Sequence, residues 1–262
     1  MAYELNTIVA AGRLTADPDV RYTAGDHPTA IARYTLAVNR SNAVDYVPCV
    51  VFGKSAEFAE KYIKKGTALL VTGRIQTGSY TNKDGAKVYT TEVVVERQTS
   101  EKEGDLHMNV VLLEGRLTRD PDVRYTAGDN PTCIARYTLA VTRGYFSKEK
   151  DASDFISCVC LGRSAELAEK HLRKGTAIAV RGLFQTGSYT KGGKKVYTTE
   201  VKVESMTFAK KKRDAKQDRT AETAVSSEKN NKEETEELDG FESLPEDEDD
   251  VLPFGSSVIP TT

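Results

Sequence analysis

Residues 6–40 read NTIVAAGRLTADPDVRYTAGDHPTAIARYTLAVNR, and residues 109–143 read NVVLLEGRLTRDPDVRYTAGDNPTCIARYTLAVTR. The two stretches align without a gap, and 26 of the 35 positions are identical. The chain is an internal duplication, so its fold is settled once a single unit is understood. Further on, Gly53-Lys54-Ser55-Ala56-Glu57 returns as Gly162-Arg163-Ser164-Ala165-Glu166, the second copy having gained six residues around Gly144 to Ser153. Gln76 to Thr81 returns as Gln185 to Thr190, and Val88 to Val93 returns as Val196 to Val201 after one deletion. Changes in length fall where loops are expected. A unit of about 95 residues is the size of an ordinary small domain rather than of a solenoid repeat.

Within the first unit the pattern predicts strands at Thr7 to Leu14, Ala30 to Arg40 and Asp45 to Phe52, a helix over Ala56 to Lys64, and strands at Ala68 to Thr81 and Lys87 to Glu96. These strands are rich in Val, Ile, Thr and Tyr and are separated by turn residues such as Asp17-Pro18 and Asp84-Gly85. Ser55 is the expected N-cap of the helix and Gly66 lies past its end, with Glu57→Lys61 and Glu60→Lys64 spaced i,i+4. Ser164 and Gly175 repeat the two end signals in the second copy. The order β-β-β-α-β-β, with its helix between the third and fourth of five strands, is that of an OB-fold barrel. Gly73 and Gly182, midway along the long fourth strand, suit the bend that closes such a barrel. The fold class is thus all-β: two tandem OB-fold barrels followed by a disordered acidic C-terminal tail. The expected boundaries are 1–100 for the first barrel, 101–108 for a linker, 109–208 for the second barrel, 209–250 for the charged tail and 251–262 for an apolar tip with an extension.

Charge divides the chain at the same place. The 262 residues carry a formal net charge of −2. Residues 1–213 hold 33 Lys+Arg against 24 Asp+Glu, a net +9, while residues 214–262 hold 4 against 15, a net −11. A basic body suggests a polyanionic partner, and an acidic tail suggests self-screening or protein docking. From Lys210 to Asp250 almost nothing apolar is available to bury, which predicts disorder. No apolar run is long enough to span a membrane, and Met1 to Asn6 does not resemble the start of a signal peptide, so a cytoplasmic, nucleoid-associated location without membrane contact is expected.

Several chemistries find no support. Gly53-Lys54-Ser55 resembles the end of a phosphate-binding loop, but Pro48 stands where its first glycine belongs and Arg163 replaces the lysine in the second copy. The four cysteines, Cys49, Cys133, Cys158 and Cys160, are too few for a disulfide scaffold; Cys158 and Cys160 share one strand face without a second pair at zinc-ligand spacing and read as buried core thiols. Neither repeat preserves a histidine, and no nucleophile-base-acid set recurs. The expectation is a binding protein, not an enzyme, with no cofactor and no metal.

What recurs is cationic residues interleaved with rings. On the third strand Tyr46, Pro48, Val50 and Phe52 share one face; Phe155, Ser157, Val159 and Leu161 take that face in the second copy. Arg33 and Arg136 lie on the second strand and Arg40 and Arg143 at its end; Lys54 and Arg163 follow the third strand. Lys83, Lys87, Lys191, Lys194 and Lys195 sit in the last hairpins, just past Tyr80 and Tyr189. Rings stack on bases at roughly 1–3 kcal/mol each while Lys and Arg follow the phosphates. Tyr34, Tyr137, Tyr89 and Tyr197 are read as half-buried packing, and Lys61, Lys64 and Lys65 as helix ion-pair and dipole partners. Two other classes remain open on these residues: an RNA-binding OB protein and an adaptor acting through its tail.

Asn6, Gly12-Arg-Leu, Asp17-Pro-Asp-Val-Arg21-Tyr, Ala32 to Ala37, Val51 to Glu57, Gly73-Arg-x-Gln-Thr and Tyr89-Thr-Thr-Glu-Val93 together resemble the bacterial single-stranded DNA-binding protein family, across a whole OB unit, twice. The resemblance implies single-stranded DNA binding without sequence preference in replication, recombination and repair. It implies stacking rings at Tyr46, Phe52 and Tyr80, and at Tyr145, Phe155 and Tyr189. It implies replication and repair proteins as partners of the tail, at Asp249, Asp250, Leu252, Pro253 and Phe254. Family members with one OB unit assemble as homotetramers; two units per chain then imply a homodimer. The chain departs from the pattern in having no tryptophan, in Asn42 where a ring is expected, in Leu161 opposite Phe52, and in eight residues after Phe254.

Overall fold

The computed structural model describes residues 5–208, apart from positions 26, 41, 82–84, 86, 102–106, 129, 144–151 and 192, and apart from the side chains of residues 101, 191, 194 and 195. The expected linker, the acidic tail and the tip, with the five expected docking residues at their junction, therefore lie wholly or largely outside the described residues, as do Lys83, Tyr145, and the side chains of Lys194 and Lys195.

The first unit contains β1 (Asn6–Leu14), β2 (Asp19–Tyr22), β3 (Ala30–Arg40), β4 (Ala43–Phe52), α1 (Lys54–Tyr62), β5 (Ala68–Thr81) and β6 (Lys87–Glu101). The second repeats them as β7 (Met108–Leu117), β8 (Asp122–Tyr125), β9 (Cys133–Thr142), β10 (Ser153–Leu161), α2 (Arg163–His171), β11 (Ala177–Lys191) and β12 (Lys194–Phe208). The short β2 and β8 were not expected from sequence. They are four-residue Asp-Val-Arg-Tyr segments added along β3 and β9, and only the valines turn toward the core.

Each unit closes on itself because its first strand pairs twice: β1 with β5 and with β3, β7 with β11 and with β9. Closure needs a bend in the long fourth strand, and the register of β5 against β6 shifts between Thr72 and Gly73, as that of β11 against β12 shifts between Arg181 and Gly182. A Cβ on Gly73 would fall on the Val94 carbonyl oxygen, and one on Gly182 on that of Lys202, so only glycine fits the bend. Asn6 then takes over from the ladder, its amide donating to the Ile75 carbonyl (2.8 Å) and accepting from the Ile75 N–H (2.9 Å). Asn109 does the same for Phe184.

The barrel interiors hold Ile8, Leu36, Val47, Leu69, Val71 and Ile75 in one unit, and Leu113, Leu139, Ile156, Ile178 and Phe184 in the other. α1 packs in with small side chains, Ala56 and Ala59, as α2 does with Ala165 and Ala168. The N-cap is Gly53 rather than Ser55. Its φ of 61° turns the chain sharply from β4 into the helix, a conformation a serine would resist, and its N–H donates to the Ala30 carbonyl at 2.8 Å. All four cysteines are buried free thiols. Burial pushes the Cys160 thiol up to about 11 and raises those of Cys49 and Cys158 further.

β1 also pairs antiparallel with β7, Asn6 opposite Leu113 and Ala11 opposite Met108, which joins both barrels into one twelve-stranded sheet. Among the described residues no helix is long and apolar enough to cross a membrane.

Candidate nucleic-acid interface

Register fixes which side chains share the outer face. Arg33 lies opposite Val50, Val50 opposite Val94, Val94 opposite Arg74, and Val88 opposite Tyr80. Because residues two apart on a strand share a face, Arg33, Tyr46, Phe52, Glu92 and Tyr80 all project outward. Their counterparts Arg136, Phe155, Leu161, Glu200 and Tyr189 do the same on the second barrel. The rings of Tyr46, Phe52, Tyr80, Phe155 and Tyr189 are between 47% and 59% exposed. Water-facing rings in such number point to a ligand that stacks. Tyr34 and Tyr137 are buried instead, as expected, and burial raises both phenols.

The cations divide into two groups. Lys54, Lys87 and Arg163 are exposed. Lys87 holds its ammonium 5.4 Å from the centre of the Tyr89 ring. Arg33 and Arg136 stand on the outer face but lean on carboxylates, Arg33 at 3.8 Å from Glu92 and Arg136 at 3.5 Å from Glu200.

Arg40 and Arg143, read from sequence as part of the same basic surface, are engaged elsewhere. Each is only 27% exposed and faces a fully buried carboxylate, Asp45 or Asp154. Arg143 grips Asp154 with two aligned bonds (Nε 3.0 Å, Nη2 2.8 Å) and also donates to the Thr77 carbonyl at 2.8 Å. Thr77 belongs to the first barrel. Its N–H donates to Asp154 at 2.6 Å, and its hydroxyl accepts from the Phe155 N–H at 3.1 Å. The reciprocal seam joins Asp45 to the Thr186 N–H (2.9 Å) and the Tyr46 N–H to the Thr186 hydroxyl (2.9 Å).

These seams show where the two long hairpins go. The arm β5–β6 leaves its own barrel and leans across the outer face of the other at β10, while β11–β12 leans on β4. A cleft of about 770 Å³ lies under the first arm, with Tyr89 and Thr91 on one side and Phe155, Ser157, Arg136 and Glu200 on the other; Tyr197 also lines it. Tyr89 and Tyr197, assigned from sequence to packing, are 77% and 76% exposed, more than any other ring named above. The signal that marked them was present: both recur in the duplicated hairpin, past the glycine bend, where a strand has left the core behind.

The Single-strand binding protein family matches residues 5–100 and again 108–209. A single-stranded DNA-binding protein of Clostridium perfringens is 50% identical over 95 residues, 35% of this chain and 63% of that protein. One of Enterococcus faecalis is 46% identical over 114 residues, 38% of this chain and 60% of that protein. The chain thus spans a little under two thirds of the length of these relatives. The solved wild-type single-stranded DNA binding protein of Thermus aquaticus superposes with a TM-score of 0.66 at 29% identity, covering 81% of this chain and 97% of that one. A deletion variant of it gives 0.67 at 28% identity, covering 82% and 99%.

Proposed function

The chain belongs to the single-strand binding protein family, and from that premise we propose that it binds single-stranded DNA without sequence preference and protects it during replication, recombination and repair. The observation that carries this reading is the row of half-exposed rings, Tyr46, Phe52 and Tyr80 on one barrel and Phe155 and Tyr189 on the other, facing outward beside Arg33 and Arg136. Unpaired bases stack on the rings; Arg33, Arg136, Lys54, Arg163, Lys83, Lys87, Lys194 and Lys195 attract the phosphates, and Tyr145 adds a ring from the inserted loop. Arg40 and Arg143 act on the strand only indirectly, by fixing the seam.

Two tandem barrels, 1–100 and 109–208, do the binding in this reading, and the tail after residue 208 does the recruiting. Asp249, Asp250, Leu252, Pro253 and Phe254 dock replication and repair proteins, and two chains associate to give four OB units. A solution mass of one or of four chains counts against the dimer.

Titrating the full chain with poly(dT) while following tyrosine fluorescence tests the main reading. Quenching and a log affinity falling with log salt at about −0.7 per phosphate contact are expected. Unquenched fluorescence with no complex at low salt would overturn it.

A further inference from the structure

Tyr89 lies outside the row of rings just described, yet the fold hands it to the partner barrel. On the arm, Ser79 pairs with Tyr89 and Thr77 with Thr91, so the Tyr89 side chain shares the face through which Thr77 reaches Asp154 and Phe155. Tyr80 shares the opposite face, with Gly78 and Thr90. One hairpin thereby presents a ring on each side. The Tyr80 side continues the outer face of its own barrel, and the Tyr89 side overhangs the outer face of the other.

The cleft under that overhang has the chemistry of a base site. Phe155 and Tyr89 line it, Thr91 and Ser157 offer hydroxyls, and the Arg136–Glu200 pair offers both a donor and an acceptor to a base or a phosphate. Its volume of about 770 Å³ falls inside the roughly 300–1,000 Å³ typical of small-ligand sites. The seam of Arg143, Asp154 and Thr77 fixes its width, since the arm cannot swing away without exposing a buried carboxylate.

We infer that this cleft is a cross-barrel clamp, in which an unpaired nucleobase of the bound strand lodges against Phe155 of the second barrel and Tyr89 of the first, with Tyr197 beside it, so that the strand passes from one barrel to the other through the cleft. This rests on the single-strand binding reading above.

The test uses the full chain, oligothymidine carrying 5-iododeoxyuridine, and the variants Tyr89→Ala, Tyr89→Phe, Phe155→Ala and Tyr89→Ala/Phe155→Ala. Tyr89→Ala should weaken binding about tenfold, the order expected for one stacked base, and Tyr89→Phe should restore it. The double variant should lose less than the product of the single losses, because both rings serve one base. Photocrosslinks should map to Val88–Arg97 as well as to the peptide holding Phe155. Should Phe155→Ala weaken binding while Tyr89→Ala leaves it unchanged and no crosslink reaches Val88–Arg97, the clamp is overturned and the outer-face reading survives. Should neither these nor Tyr46→Ala weaken binding, the underlying reading fails with it.

Discussion

The two barrels are copies in outline and differ where polar groups meet. In the first, the buried Tyr34 hydroxyl donates to Gln98 at 2.7 Å, and Gln98 in turn donates to the Ser55 carbonyl at 2.8 Å, tying the core to the start of the helix. In the second, Met206 takes the place of Gln98 in the register, and the Tyr137 hydroxyl is buried without a hydrogen bond among the described residues. The seams differ in the opposite sense. Arg143 meets Asp154 with two aligned bonds, whereas Arg40 approaches Asp45 at 3.3 Å without one. On the outer face Phe52 has become Leu161. The apolar interiors keep the same buried positions while exchanging one apolar side chain for another, Val47 for Ile156, Leu69 for Ile178 and Ile75 for Phe184, because a barrel core asks for apolar bulk in total more than for a particular residue. The polar differences are single contacts, each of which shifts stability or affinity without altering the fold.

That contrast can be broken most forcefully at the seams. Asp154→Ala strands the Arg143 guanidinium and should destabilise the protein by about 3–5 kcal/mol, with Asp45→Ala costing less because its ion pair is less well aligned; thermal unfolding of both variants gives the order. Exchanging the outer-face residues should move affinity next. Phe52→Leu should weaken oligothymidine binding and Leu161→Phe should tighten it, each by about 1–3 kcal/mol, as read by isothermal titration. Smaller still is the core tyrosine contrast. Gln98→Met should cost about 1–2 kcal/mol by orphaning the Tyr34 hydroxyl, while Tyr137→Phe should cost nothing or stabilise, as followed by urea denaturation. The finest probe is Glu92→Gln or Glu200→Gln, which releases Arg33 or Arg136 for phosphate and should steepen the salt dependence by about 0.7.

Much of this architecture was legible in the chain. The duplication and alternation gave the strand order, and Gly73 marked the barrel's bend because no other residue survives a backbone approach that close. The outward row of Tyr46, Phe52 and Phe155 followed from period two alone. β2 and β8 escaped because four residues with one inward valine carry too little periodicity to register. The partners of Arg40 and Arg143 were hidden for a different reason. A strand-end arginine looks the same in sequence whether it meets a phosphate or a carboxylate on the next strand, and Thr77 and Thr186, which complete the seams, are distant from them by 66 and 146 residues. Tyr89 and Tyr197 carried a signal, their recurrence in the duplicated hairpin, but it was outweighed by the usual packing role of a strand tyrosine, a role Tyr34 and Tyr137 do fill.

The pairing of Asn6–Leu14 with Met108–Leu117 has a consequence for anyone dividing the molecule. Cut between the units, each half would keep a closed core yet expose a bare strand edge of unsatisfied amides and carbonyls along Asn6 to Ala11 or Met108 to Leu113. Isolated halves should therefore re-pair with copies of themselves, and the covalent tether serves to make the right partner the nearest one.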